Sequence, residues 1–81
     1  MAEKVNMRLQ KIILEVVDRQ MMLNNPPATR ITFDRLVNSG HSEEDARKMI
    51  GSVLTGFIYD IMKDNIRFDE ERYSHELDKL K

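Results

Sequence analysis

The stretch SGHSEEDA, residues 39–46, sets one of the chain's two histidines and three carboxylates within the five positions 41–45. Such groups bind metal ions or move protons when they converge. His41, however, precedes a helix start, and successive helical residues point about 100° apart, so the set does not close on one ion. The same residues read better as helix grammar. Ser42 stands just before an apolar-periodic run and Asp45 lies three residues on, the spacing at which a serine hydroxyl accepts the aspartate N–H. Glu43 and Glu44 add negative charge where the helix dipole favours it. His75 has Glu71 four residues before it and Asp78 three after, on one helical face. That face is expected to be a solvated one carrying an exposed ion pair. No catalytic, cofactor-binding or metal-ligating residue is assigned, and no cofactor is expected.

Other chemistries lack their residues. There is no phosphate-binding glycine loop, zinc-protease helix or calcium loop, and the three glycines are scattered. The chain has no cysteine, so thiolate chemistry and disulfides are absent. With 13 basic and 14 acidic side chains the formal charge is −1, too little to draw the molecule to a polyanion. Residues 34–50 do form a helix, a glycine turn and a helix, which raises a helix-turn-helix nucleic-acid module as an alternative function. Its reading helix would then present Glu43, Glu44 and Asp45 to phosphates, so nucleic acid is not the expected partner. A metal-dependent enzyme built on His75, Glu71 and Asp78 is a lesser alternative.

The elements that would position any site are helical. Val5, Leu9, Ile12, Val16 and Leu23 recur at helical spacing and predict a first helix over about 3–22, with Arg8, Glu15 and Arg19 opposite. Asn24, Asn25 and two prolines end it and open a second helix over roughly 27–38, whose inward face is Phe33, Leu36 and Val37. Gly40 suits the left-handed position that follows. The third helix, about 43–64, is apolar over more than half its circumference and should be central. Asn65 ends it, Asp69 caps a last helix over about 70–80, and Phe68 and Tyr73 have the spacing of a hydrophobic staple. The expected fold is all-α, one domain over residues 1–81, a small four-helix bundle around a long third helix. The charged N-terminal segment cannot cross a bilayer, so no membrane is expected and the cytoplasm is the default.

The first helix carries more apolar surface than one bundle face needs. Beside the first stripe run Met7, Leu14 and Met21, seven apart, with Gln10 and Val17 between them at heptad positions. This predicts a homodimer seam at Met7, Leu14, Val17 and Met21, with an unidentified protein partner as a further candidate; the alternative is that helices two and four wrap far enough to bury the second line within one chain. Gly51 and Gly56 in the third helix predict close approach of neighbouring helices on both flanks, and Gln20 is expected to tie down backbone groups of the Asn-Pro-Pro turn.

Asn25-Pro26-Pro27, Arg35-Leu36, Gly40 with Ser42-Glu43-Glu44 and Ala46, and Phe68-Asp69 with Arg72-Tyr73 together resemble a family of small bacterial all-helical proteins, a domain of unknown function. The resemblance implies a fold and supplies no catalytic residue. The expected function is that of a small non-enzymatic interaction or assembly protein that self-associates through its first helix.

Overall fold

The computed structural model describes residues 2–65 and 67–81, with side chains from residue 8 onward. It contains four helices: α1 (Ala2–Leu23), α2 (Pro27–Asn38), α3 (Glu43–Asp64) and α4 (Glu70–Asp78). The boundaries are set by local chemistry. Asn24, at φ 51°, closes α1 in a Schellman turn, with the Asn25 N–H donating to the Gln20 carbonyl and the Asn24 N–H to that of Met21. Gly40, at φ 110°, closes α2 in the same way: His41 N–H donates to Leu36 and Gly40 N–H to Val37. Pro27 occupies the first position of α2, where no intrahelical N–H bond is needed. The Ser42 hydroxyl accepts the Asp45 N–H at 3.0 Å and the Asp69 carboxylate accepts the Arg72 N–H at 3.1 Å. Asn65 ends α3 in the left-handed region.

α2 and α3 each pack on all the other helices, whereas the backbones of α1 and α4 do not approach each other and the two are joined through side chains. The core is Ile13 and Val17 of α1, Leu36 of α2, Ala46, Ile50, Leu54 and Phe57 of α3, and Tyr73 and Leu77 of α4. Phe68 and Tyr73 form the expected staple, with ring centroids 5.1 Å apart, and Phe57 completes the trio edge-on to Tyr73 at 5.5 Å.

The inward face of α1 differs from the sequence reading. Its centre is Ile13 and Val17, flanked by Leu9, Val16 and Met21, while Ile12 and Leu23 are 55% and 65% exposed. Val5 lies outside the described side chains. The helix is rotated so that its core face falls between the two apolar lines rather than on the first. α3 causes this. Gly51 lets α1 approach so closely that a Cβ there would stand 3.1 Å from Ile13 Cγ2 and 3.7 Å from Leu14 Cδ2. Gly56 does not act this way, because a Cβ added to it would meet nothing within 4 Å.

Three polar devices complete the bundle. Gln20 Oε1 accepts from the Thr29 hydroxyl at 2.9 Å and from the Tyr73 hydroxyl at 3.1 Å, so its side chain joins α1, α2 and α4 rather than the turn backbone. Thr29 and Thr32, not expected inside, are buried on α2. Asp18 receives a bidentate Arg47 at 2.8 and 2.7 Å, fastening α1 to α3. Arg35 donates to the Leu80 and Leu77 carbonyls at 2.6 and 2.9 Å, and His41 Nε2 lies 2.8 Å from the main-chain oxygen of Lys81. These bonds tie the last turn of α4 and the residues that follow it to α2 and the turn after it.

Candidate interaction groove

α1 and α3 run antiparallel, with Asp18 beside Arg47, Ile13 beside Gly51 and Leu9 near Tyr59. Because Gly51 carries no side chain and Thr55 a short one, the seam between the helices opens into a groove. One section, of about 280 Å³, runs from Lys48 past Gly51 and Thr55 to Tyr59, with Gln10 and Leu14 on the α1 side. A second, of about 130 Å³, continues between Leu9, Ile58, Tyr59 and Met62. Leu9, Ile13, Thr55 and Tyr59 line both, so the sections are continuous. On the rim stand Tyr59 and Met62, 60% and 79% exposed.

The predicted seam residues fall unequally around this groove. Val17 is 0% exposed and belongs to the core of its own chain. Met21 is half-buried against the core. Leu14 is half-buried and lines the groove beside Gly51. Met7 lies outside the described side chains. Leu9, Thr55, Ile58, Tyr59 and Met62 were not singled out as interface residues from the sequence. For Ile58 and Met62 the signal was the width of the apolar arc on α3.

Three of the groove's polar side chains, Lys48, Ser52 and Thr55, are paired within α3. Lys48 and Ser52, one helical turn apart, could suggest a lysine-activated nucleophile. Lys48 Nζ, however, is 3.3 Å from Glu44 Oε1, and the Ser52 hydroxyl donates to the Lys48 carbonyl at 3.1 Å. The Thr55 hydroxyl likewise donates to the Gly51 carbonyl at 2.8 Å. Among the described residues no carboxylate or imidazole lines either section. Elsewhere, Glu71, His75 and Asp78 are exposed on α4, and among the described residues no three His, Asp or Glu side chains are grouped to hold a metal ion. Glu43, Glu44 and Asp45 are exposed at the start of α3, while Arg47 and Lys48 beside them are paired with Asp18 and Glu44.

Two groups have displaced acidities. Burial pushes the Tyr73 phenol above its usual value, partly offset by the Thr29 hydroxyl. Glu76, on the surface, is held below the usual carboxylate range first by its hydrogen bond with Lys79 and then by that residue's charge. Neither lines the α1–α3 groove. Among the described residues no helix is long and apolar enough to cross a membrane. No family model, curated protein or solved structure matches the chain.

Proposed function

We propose that this chain is a small non-enzymatic interaction protein, and that the groove between α1 and α3 is its contact surface. The observation that carries the reading is the continuity of an apolar groove with two large exposed side chains, Tyr59 and Met62, on its rim. Apolar side chains standing singly on a surface need no explanation, but a groove and protruding side chains of matching chemistry mark a place where another surface fits. The internal pairing of Lys48, Ser52 and Thr55 supports binding over catalysis, because none of them is left poised to attack or to accept a proton.

The test uses a photo-crosslinking amino acid at Thr55, inside the groove, and at Asn38, an exposed residue at the end of α2, in cells that make the protein. Adducts from Thr55 and none from Asn38 are expected. No adduct from Thr55, or equal yields from the two positions, would remove the groove as the contact surface.

A further inference from the structure

We infer that the Gln20 amide, with the Thr29 and Tyr73 hydroxyls that meet on it, selects the rotation of α1, holding Ile13 and Val17 inward against a rival setting of the same helix.

The rival is written in the sequence. Leu9, Ile12, Val16 and Leu23 form one apolar line along α1, yet Ile12 and Leu23 are mostly exposed while Leu9 and Val16 are half-buried. A turn of α1 by about 100°, the angle between neighbouring residues, exchanges Ile13 for Ile12 at the centre of the inward face. Apolar burial changes little in that exchange, because isoleucine replaces isoleucine and Leu23 comes in as Val17 goes out. Apolar area alone therefore discriminates weakly between the two settings.

Polar groups discriminate strongly. Thr29 and Tyr73, both 0% exposed, donate to the one Gln20 Oε1 at 2.9 and 3.1 Å. With side chains at a radius of about 5 Å, the turn to the rival setting carries that oxygen about 7 Å away. The two hydroxyls also face each other, but between them they can pair only one of their two protons. A buried donor left without an acceptor disfavours the rival by roughly tenfold to a hundredfold.

The other contacts of α1 act differently. Gly51 favours the present setting by close packing at Ile13 and Leu14, nearly two turns before Gln20. The Asp18–Arg47 pair has side chains 46% and 31% exposed, so the long arginine arm can follow the helix and water can replace the bond. The Gln20 node acts by exclusion, at the end of α1 that it joins to both α2 and α4.

The chain has no cysteine, so a single introduced thiol reports its own burial. Val17→Cys, at a position 0% exposed, reports the rotation of α1, and Leu54→Cys, at a position 3% exposed on α3, reports opening of the whole core. Labelling rates with a thiol reagent are compared in the wild-type background and in Gln20→Leu/Thr29→Val/Tyr73→Phe, which replaces every partner by an apolar group and so strands none. In the wild-type background both thiols should react at least about a hundredfold more slowly than that of Ile12→Cys. In the apolar background the Val17→Cys thiol should react at least about tenfold faster while the Leu54→Cys thiol keeps its protection. Should the apolar background lose its cooperative urea melt, the same comparison in Gln20→Leu alone decides. Unchanged protection of the Val17→Cys thiol overturns the inference, since α1 then keeps its setting without the node. So does an equal rise at both positions, which would mean that the node only adds stability.

Discussion

Gly51 and Gly56 lie five residues apart on α3, and the same substitution at the two should act in opposite directions. Alanine in a helix interior is favoured over glycine by about 1 kcal/mol, because glycine gives up more backbone freedom on folding. At Gly56 nothing lies within 4 Å of the new methyl group. The full gain should therefore appear, raising the Tm by about 4–8 °C in a domain of this size. At Gly51 the new Cβ would be 3.1 Å from Ile13 Cγ2, so this side chain, 1% exposed, would have to shift by a few tenths of an ångström. Overpacking of this kind costs about 1–3 kcal/mol, so Gly51→Ala should range from neutral to about 2 kcal/mol destabilising. Leucine at the same place should lose about 3 kcal/mol or more. The assay is thermal and urea unfolding followed by helical circular dichroism, at a concentration low enough that association adds nothing to the apparent stability. Should Gly51→Ala raise the Tm as much as Gly56→Ala, α1 is not pressed against α3 at Gly51, and both the rotation of α1 and the origin of the groove lose their cause.

Gln20→Leu removes the common acceptor of the buried Thr29 and Tyr73 hydroxyls and should destabilise by about 2–4 kcal/mol; adding Tyr73→Phe should then cost less than it does in the wild-type chain, and strict additivity in urea melts would refute the shared bond. Arg35→Met keeps the aliphatic stem but loses both bonds to the end of α4, for about 2 kcal/mol, with faster hydrogen exchange over residues 77–81 than over α3. Ser42→Ala should cost about 1 kcal/mol by leaving the Asp45 N–H without its cap, read from the same melts. Tyr73 is harder to ionise in the folded chain than in the unfolded one, so its contribution is fully present below the unfolded value of 10.0 and declines as pH rises from there toward the raised folded value. Tyr73→Phe should flatten that alkaline decline, and an unchanged slope would place its cause elsewhere.

The helix ends were readable because each is decided by one or two neighbouring residues. Ser42 and Asp69 accept the N–H three positions on, Gly40 and Asn65 take the left-handed conformation, and Pro27 starts a helix. None of this needs a distant partner. The devices that join helices were not readable in the same way. Arg35 reaches main-chain oxygens more than forty residues away, and a main-chain oxygen carries no sequence signal. Thr29 and Thr32 do show the periodicity of an inward face with Leu36, but their hydroxyls make burial look unfavourable until Gln20 and Tyr73 are seen to supply a partner for Thr29.

α1 marks the limit of what periodicity can decide. When apolar residues cover more than half of a helix, the pattern fixes that the helix is buried and leaves its rotation open, because several faces would bury similar area. The choice then falls to the residue that allows the closest approach from the facing helix. Here that residue is Gly51, far along the chain from Ile12 and Leu23, the members of the first apolar line that are displaced from the core. Its close approach draws Ile13 inward, encloses Val17, and turns Ile12 and Leu23 out to solvent. It also leaves a strip without side chains on α3, bordered by Leu14 and Tyr59, so the feature that fixes how α1 sits also creates the groove beside it. Part of the heptad line of α1 is taken up within the chain, with Val17 fully buried and Leu14 and Met21 half-buried, and the exposed side chains beside the α1–α3 seam, Tyr59 and Met62, stand on α3.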